Sequence, residues 1–372
     1  MDIRKYLEDI ENRLDEQQEE QLLQDYYRFA DRKMTDRSYF QPTRRPAPSK
    51  VEWEHIYFND TFEDYDAMLY KQLLRANDQL ESGGGELLSF RSNFGVGLIP
   101  SMFGCEIRML PKEQDGLPGA LHLEWDQILK INEDFRNGIR PDVRSGLGQK
   151  TIDAAHHAEK LLEDYPKLKK YLKIYQPDTQ GPCSLVEAVV GSDFYLMLLD
   201  EEDEINDFIE VVTDTFIRYM KLWKQEFPYM DGEYAWDYGL MYKGGIMIRE
   251  DACTNISGSM YEEFFQEADQ KILDAFGGGG VHFCGHGDHL IKAFSELKGL
   301  TALNMSQPDM NDMDGLIYPY TIDKDIQIIG MPKFEIRRCD RKGIDLKGMV
   351  HVGVCVAAWM GEPEKDPRGE DD

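Results

Sequence analysis

Apolar side chains recur every three to four residues over some stretches of the chain and every second residue over others, predicting helices and strands respectively. Ile3, Leu7, Ile10 and Leu14, then Leu22, Tyr26 and Phe29, mark two amphipathic helices within residues 2–33, with a polar interruption at 16–21. Pro42, Pro46 and Pro48, with Arg44 and Arg45 among them, form a loop. Phe62, Tyr65, Leu69, Leu73 and Leu80 predict a helix over 61–80, ended by Gly83, Gly84 and Gly85. Residues 87–93 alternate as a strand, with Leu88 and Phe90 on one face and Ser89, Arg91 and Asn93 on the other. The loop at 94–100 is glycine-rich without the spacing of a phosphate-binding loop. Between 104 and 143 the pattern is weak, and 122–125 is its best strand.

A helical period returns over 152–172, with Pro166 marking a break between two helices. A strand at 173–176 enters the turn at 178–182, and a helix follows over 184–190. Ile205, Phe208, Ile209, Val212, Phe216, Met220 and Trp223 then line one face of a long helix over 204–226. A strand at 244–249 ends in Glu250 and Asp251. Ser259 with Glu262 reads as a capping box for a helix running to Phe276. Gly277 to Gly280 stop that helix, because glycine takes the left-handed conformation that closes a C-terminus. Strand patterns then occupy 281–284, 301–306, 326–330 and 349–356, with a helix over 288–297 after the first.

Strands alternating with helices are the pattern of a parallel α/β fold. Starts at Leu87, His122, Lys173, Gly244, Val281, Thr301, Ile326 and Met349 number the eight that a (β/α)8 TIM barrel requires. In the last strand the valines at 350, 352, 354 and 356 share the face toward the helices, while Met349, His351, Gly353 and Cys355 face inward. The expected organisation is an N-terminal helical extension over 1–85, a barrel over 86–360 and an acidic tail over 361–372. The extension would pack on the barrel or on a partner subunit, which makes a homodimer an expectation.

Charge narrows the partners. With 42 Lys and Arg against 70 Asp and Glu, the formal charge of −28 argues against nucleic acid and against an anionic membrane surface. No run of about 18 apolar residues occurs, and the charged start Met1-Asp2-Ile3-Arg4 does not read as a signal peptide, so a cytoplasmic protein is expected. Six cysteines spread through an acidic chain of 372 residues are not a secreted disulfide framework.

The chemistry concentrates at His282, Cys284, His286 and His289, within eight residues. Side chains two apart on a strand share a side, so the His282 imidazole and the Cys284 thiol project together. Cys355, at the carboxyl end of the eighth strand, would share the barrel mouth with them. Two thiolates and one imidazole suit Zn²⁺ and leave one position open to a water or a thiol. The alternative is that the two cysteines are ordinary buried residues and His282 a hydrogen-bonded core histidine. Asp251, Gln307 and His286 are the candidates for a catalytic role, with His286 also an alternative ligand. Arg91, Asn93, Gln180 and Asn304 are the candidates for orienting a substrate. Asp178 and Glu335 are further polar residues predicted at strand ends, and such residues also serve as loop-stabilising side chains. Asp288, near a helix start, suits a cap.

Over roughly residues 85–360 the sequence resembles the uroporphyrinogen decarboxylase superfamily, which includes zinc-dependent methylcobamide:thiol methyltransferases. The resemblance lies in Gln180-Gly181-Pro182 before a helix and Gly191, in 257–264 after a strand ending in Asp251, and in Val281-His282-Phe283-Cys284-Gly285. It implies a (β/α)8 barrel, and His282, Cys284 and Cys355 match the methyltransferase branch's His-x-Cys pair and distant Cys. The implied reaction moves a methyl group from a methylated corrinoid, carried by a corrinoid-binding partner protein, to a small thiol on Zn²⁺. The decarboxylase branch, acting on a porphyrinogen or another carboxylic acid, is the alternative, but its early arginine-rich segment after a Pro-x-Trp-x-Met pattern has no counterpart here. The 80-residue N-terminal extension and the 94–100 loop have no counterpart in the better-known members. A second alternative is a non-catalytic barrel that binds corrinoid proteins.

Overall fold

The structure, a computed structural model, describes residues 2–228, 232–353 and 366–369. The chain forms two compact units, one of residues 1–19 and 44–229, the other of 20–43 and 230–372.

The first unit is mainly helical. Arg4–Arg13 is followed directly by Glu16–Ala30, which leaves the first unit after Glu19. The polar stretch at 16–21 therefore does not interrupt a helix but opens one. Glu and Gln are good helix formers, and the Asp15 carboxylate accepts the Gln18 amide at 3.2 Å. Tyr65–Ser82, Gly148–Leu162 and Glu202–Glu226 are the long helices, and Pro166 begins the short helix Pro166–Tyr171, as its missing amide hydrogen allows. Arg44, expected only as a loop residue, is buried in a two-bond pair with Glu19 at 2.6 and 2.7 Å, and it also donates to the Glu86 carbonyl. Strand β1 (Ser89–Phe90) pairs in parallel with β4 (Lys173–Ile174), while β2 (Ile107–Arg108) and β3 (Gly119–Ala120) form an antiparallel pair. The strand expected at His122 is absent. Leu123 makes a single backbone bond to Val189, and the chain enters the helix Trp125–Arg136 at once, before a ladder can form.

The second unit holds a five-stranded parallel sheet whose strands lie side by side in chain order. They are β7 (Ile246–Arg249), β8 (Gly279–Phe283), β9 (Leu300–Met305), β10 (Gln327–Met331) and β11 (Val350–Val352). Seven of the eight expected strand starts thus fall in or beside described parallel strands, and His122 is the exception. Pairings among the described residues make one five-stranded and one two-stranded parallel group; a closed ring of eight is not among them. Nearly every residue of the sheet is buried, as in parallel sheets covered on both faces. Two helices, Gly258–Phe264 and Gln266–Ala275, stand where one was expected. The first is capped by Ser257, whose hydroxyl accepts the Met260 amide, and not by Ser259. Gly277 and Gly278 take φ of 71° and 90°, the left-handed closure expected of the glycine run.

A hairpin of β5 (Tyr234–Asp237) and β6 (Leu240–Lys243) precedes the sheet and was not expected. Its two-residue turn, Tyr238-Gly239, has positive φ at both positions, the form that suits the twist of a tight hairpin. Residues 38–40 lie along the outer edge of β11. Phe40 donates to the Val350 carbonyl and accepts the Val352 amide, both at 2.8 Å. Tyr26, Phe29 and Phe40 surround the buried His351 ring. Among the described residues no single helix is long and apolar enough to cross a membrane.

Candidate metal centre

Parallel pairing places the carboxyl ends of β7, β8 and β9 side by side, the end at which α/β folds position their chemistry. In register, Arg249 of β7 stands beside His282 of β8, and His282 beside Asn304 of β9. Asp251 follows β7, Cys284 follows β8, and Ser306 and Gln307 follow β9.

His282 and Cys284 project together as their spacing requires, with Nε2 and Sγ 3.4 Å apart. Each has a partner on β9 or just beyond it. His282 Nδ1 lies 2.6 Å from Asn304 Oδ1, and Asn304 Nδ2 donates to the Ile329 carbonyl at 2.5 Å. That second bond fixes the amide orientation, so Asn304 presents an acceptor and the imidazole proton sits on Nδ1. Its Nε2 thereby faces Cys284 and Asp251. Gly330 makes room for this bond, since a Cβ there would lie 2.7 Å from Asn304 Nδ2. The Ser306 hydroxyl lies 3.1 Å from the Cys284 sulfur, where it can donate to a thiolate. Gln307 accepts the Gly285 amide at 2.6 Å, and Asn311 bonds the Gly285 carbonyl and the Gly287 amide, so the turn after Cys284 is held on both sides.

Asp251 completes the group. Its Oδ1 lies 3.5 Å from His282 Nε2, is buried and accepts no hydrogen bond. Donor atoms of Asp251, His282 and Cys284 lie within 4.8 Å of one another. Metal bonds of about 2.0–2.3 Å at tetrahedral angles separate neighbouring donors by roughly 3.3–3.6 Å, which matches the 3.5 and 3.4 Å observed around His282 Nε2. A carboxylate oxygen that accepts no hydrogen bond, an imidazole nitrogen and a thiol facing one another form a set that a divalent cation satisfies. Cys355, expected as the third ligand, lies outside the described residues.

The remaining candidates fall elsewhere. His286 is exposed and pairs with Asp288 at 2.9 Å, and with His289 these form a second group of metal-type donors. Asp288 also accepts the Asp312 amide. In the first unit, Arg91, Asn93 and Gln180 gather around Asp178, just past β1 and β4. Arg91 lies 3.4 Å from the Asp178 carboxylate and donates to Asn93, and Gln180 donates to Asp178 at 2.7 Å. Glu335 is fully buried in ion pairs with Arg338 and Arg368, a structural setting. Ser306 and Asn311 did not stand out in the sequence. Ser306 carried a signal, since it shares the face of Asn304 two residues earlier.

No family model matches the sequence, and no curated protein matches it. Among solved structures, a methyltransferase from Methanosarcina mazei is similar in fold, with a TM-score of 0.56 and 13% sequence identity, over 88% of this chain and 93% of that one.

Proposed function

We propose that this protein is a metal-dependent methyltransferase of the uroporphyrinogen decarboxylase superfamily, moving a methyl group from a methylated corrinoid on a partner protein to a small thiol. The observation that carries the reading is the convergence of His282, Cys284 and Asp251, whose buried Oδ1 accepts no hydrogen bond, at the carboxyl end of a parallel sheet. The fold likeness to a methyltransferase supports it, as does the His-x-Cys motif, and in this reading the five parallel strands belong to a (β/α)8 barrel.

Zn²⁺ held there would favour the deprotonated form of a bound thiol and so supply a nucleophile at neutral pH. The chain's own residues prepare that place. Asn304 keeps the His282 proton on Nδ1, Ser306 steadies the Cys284 sulfur, and Gln307 and Asn311 hold the following turn. Such outer partners set ligand orientation and basicity. Cys355 is assigned as a further sulfur donor on its sequence motif.

Elemental analysis of protein purified from zinc-containing medium without chelators, combined with methylcobalamin-dependent alkylation of a thiol panel, tests the reading. Stoichiometric zinc and alkylation are expected, and Cys284→Ser and Cys355→Ser should lose both. Alkylation that persists in metal-free protein would overturn it.

A further inference from the structure

We propose that His286, Asp288 and His289 form a second divalent-cation site, solvent-facing and readily exchanged, that takes a late first-row ion such as Zn²⁺. It shares no residue with the group of Asp251, His282 and Cys284, and methyl transfer plays no part in it.

Donor atoms of the three side chains lie within 4.8 Å of one another. Proximity alone is common on protein surfaces, so the way the donors are held decides the matter. His289 Nε2 donates to the Ile256 carbonyl at 2.9 Å, which leaves Nδ1 as the ring nitrogen open to a ligand. One nitrogen committed to a carbonyl and the other open is the usual state of a metal-bound histidine. Asp288 is held in the same way. Its Oδ2 accepts the Asp312 amide at 2.9 Å, and its Oδ1 lies 2.9 Å from His286 Nε2. A neutral or a protonated ring makes that contact with one proton between the two atoms, and an ion entering there takes the proton's place.

His286 is the moving part. Its side chain is 60% exposed, against 12% for Asp288. The backbone on either side is pinned, with the Gly285 amide on Gln307 at 2.6 Å and the Gly287 amide on Asn311 at 2.9 Å. Rotation of the His286 side chain alone therefore opens the 2.9 Å contact to the roughly 3.3 Å that separates neighbouring donors on a tetrahedral ion with bonds of about 2.0–2.1 Å. The His286 and His289 ring centres, 5.7 Å apart, already stand within the roughly 5–6 Å that two imidazoles on one such ion adopt.

The donors set the class of ion. Imidazole nitrogen suits Zn²⁺, Ni²⁺ and Cu²⁺, whereas Mg²⁺ and Ca²⁺ take oxygen ligands. Three protein donors with one exposed arm hold the ion less tightly than a group that includes a thiolate. Dialysis against metal-free buffer should empty this site, and added zinc should refill it.

The test is zinc binding by the untagged full chain, followed by equilibrium dialysis and elemental analysis, with excess Mg²⁺ present to occupy scattered carboxylates. Cys284→Ser, which lacks the thiol of the other group, should still take up one equivalent of added zinc. Adding His286→Ala or His289→Ala to it should weaken that binding by at least about 10–100-fold, the range that outer-shell changes alone reach. In the wild type the same replacements should remove the weaker of two equivalents and keep the tighter. No uptake by Cys284→Ser would overturn the proposal, as would unchanged affinity in the histidine variants. The exposed His286 can be replaced without disturbing the fold, so His286→Ala decides alone should His289→Ala misfold. Zinc held only where Cys284 is present sinks the second site and spares the methyltransferase reading, whereas zinc held only by the His286 group sinks that reading and spares the second site.

Discussion

Replacing Asn304 separates orientation of the metal-binding imidazole from mere packing. The side chain makes two buried bonds, accepting from His282 Nδ1 at 2.6 Å and donating to the Ile329 carbonyl at 2.5 Å. Asn304→Ala removes both and leaves two buried groups unpaired, at about 1–3 kcal/mol each, so the metal-free protein should lose roughly 2–6 kcal/mol of stability. It also frees the imidazole to rotate and to move its proton to Nε2, so zinc affinity should fall about 10–100-fold. Asn304→Asp divides the two effects. It keeps an acceptor for His282 Nδ1 but sets a carboxylate oxygen against the Ile329 carbonyl. It should therefore be destabilised yet bind zinc within about tenfold of wild type, because a carboxylate is a regular outer partner of a metal-bound histidine. Urea denaturation of the metal-free proteins gives the first quantity and chelator competition the second. If Asn304→Ala binds zinc as tightly as wild type, or Asn304→Asp loses as much affinity as Asn304→Ala, the orienting role is refuted.

Three further predictions concern the scaffold. His351 is completely buried, and burial pushes its pKa down to about 3 from 6.5; its Nδ1 also accepts the Gly330 amide, leaving Nε2–H for the Tyr26 hydroxyl. The unfolded chain thus binds a proton that the folded chain refuses, so this contribution to stability is intact above about pH 6.5 and is lost as the pH falls. The loss is about 1.4 kcal/mol per pH unit, at most about 5 kcal/mol by pH 3. Denaturation midpoints between pH 7 and 4 should flatten in His351→Gln, and an unchanged slope would count against it. Gly330→Ala adds a methyl group 2.7 Å from Asn304 Nδ2 at a φ of 76°, so it should cost about 1–2 kcal/mol and weaken zinc binding along with it; wild-type zinc affinity would refute the contact. Glu19→Ala leaves the buried Arg44 guanidinium without its carboxylate and should cost about 3–5 kcal/mol, read from the thermal midpoint, with a loss below 1 kcal/mol as the contrary result.

What was legible in the sequence was what period and glycine dictate. The two-residue period sends His282 and Cys284 to one side, and the left-handed glycines stop the helix before them whatever surrounds them. Pro166 opened a helix because its ring fixes φ. Features that depend on distant partners were not legible. Leu123 looked like a strand residue but found only one backbone bond, and residues 16–21 looked like a break although Glu and Gln favour helix. The cap fell on Ser257 because the chain turns there, with Ser259 already inside the helix. Asp251 read as a candidate for a catalytic role and not as a metal-type donor, since its place beside His282 and Cys284 is a fact of three dimensions. Ser306 and Asn311 earn their roles only once register sets β9 against β8.

Because residues 20–43 belong with 230–372, the sheet-bearing unit is discontinuous along the polypeptide. A recombinant fragment beginning at 232 would lack the Phe40 segment, leaving the open amide and carbonyl row of β11 to pair with any strand that reached it, and would strip His351 of its aromatic surroundings. Such a fragment should self-associate. Supplying residues 20–43 as a separate peptide, or grafting them through a linker in a permuted gene, should restore a monodisperse species, so the N-terminal segment would act as an intramolecular chaperone for the part of the chain made last.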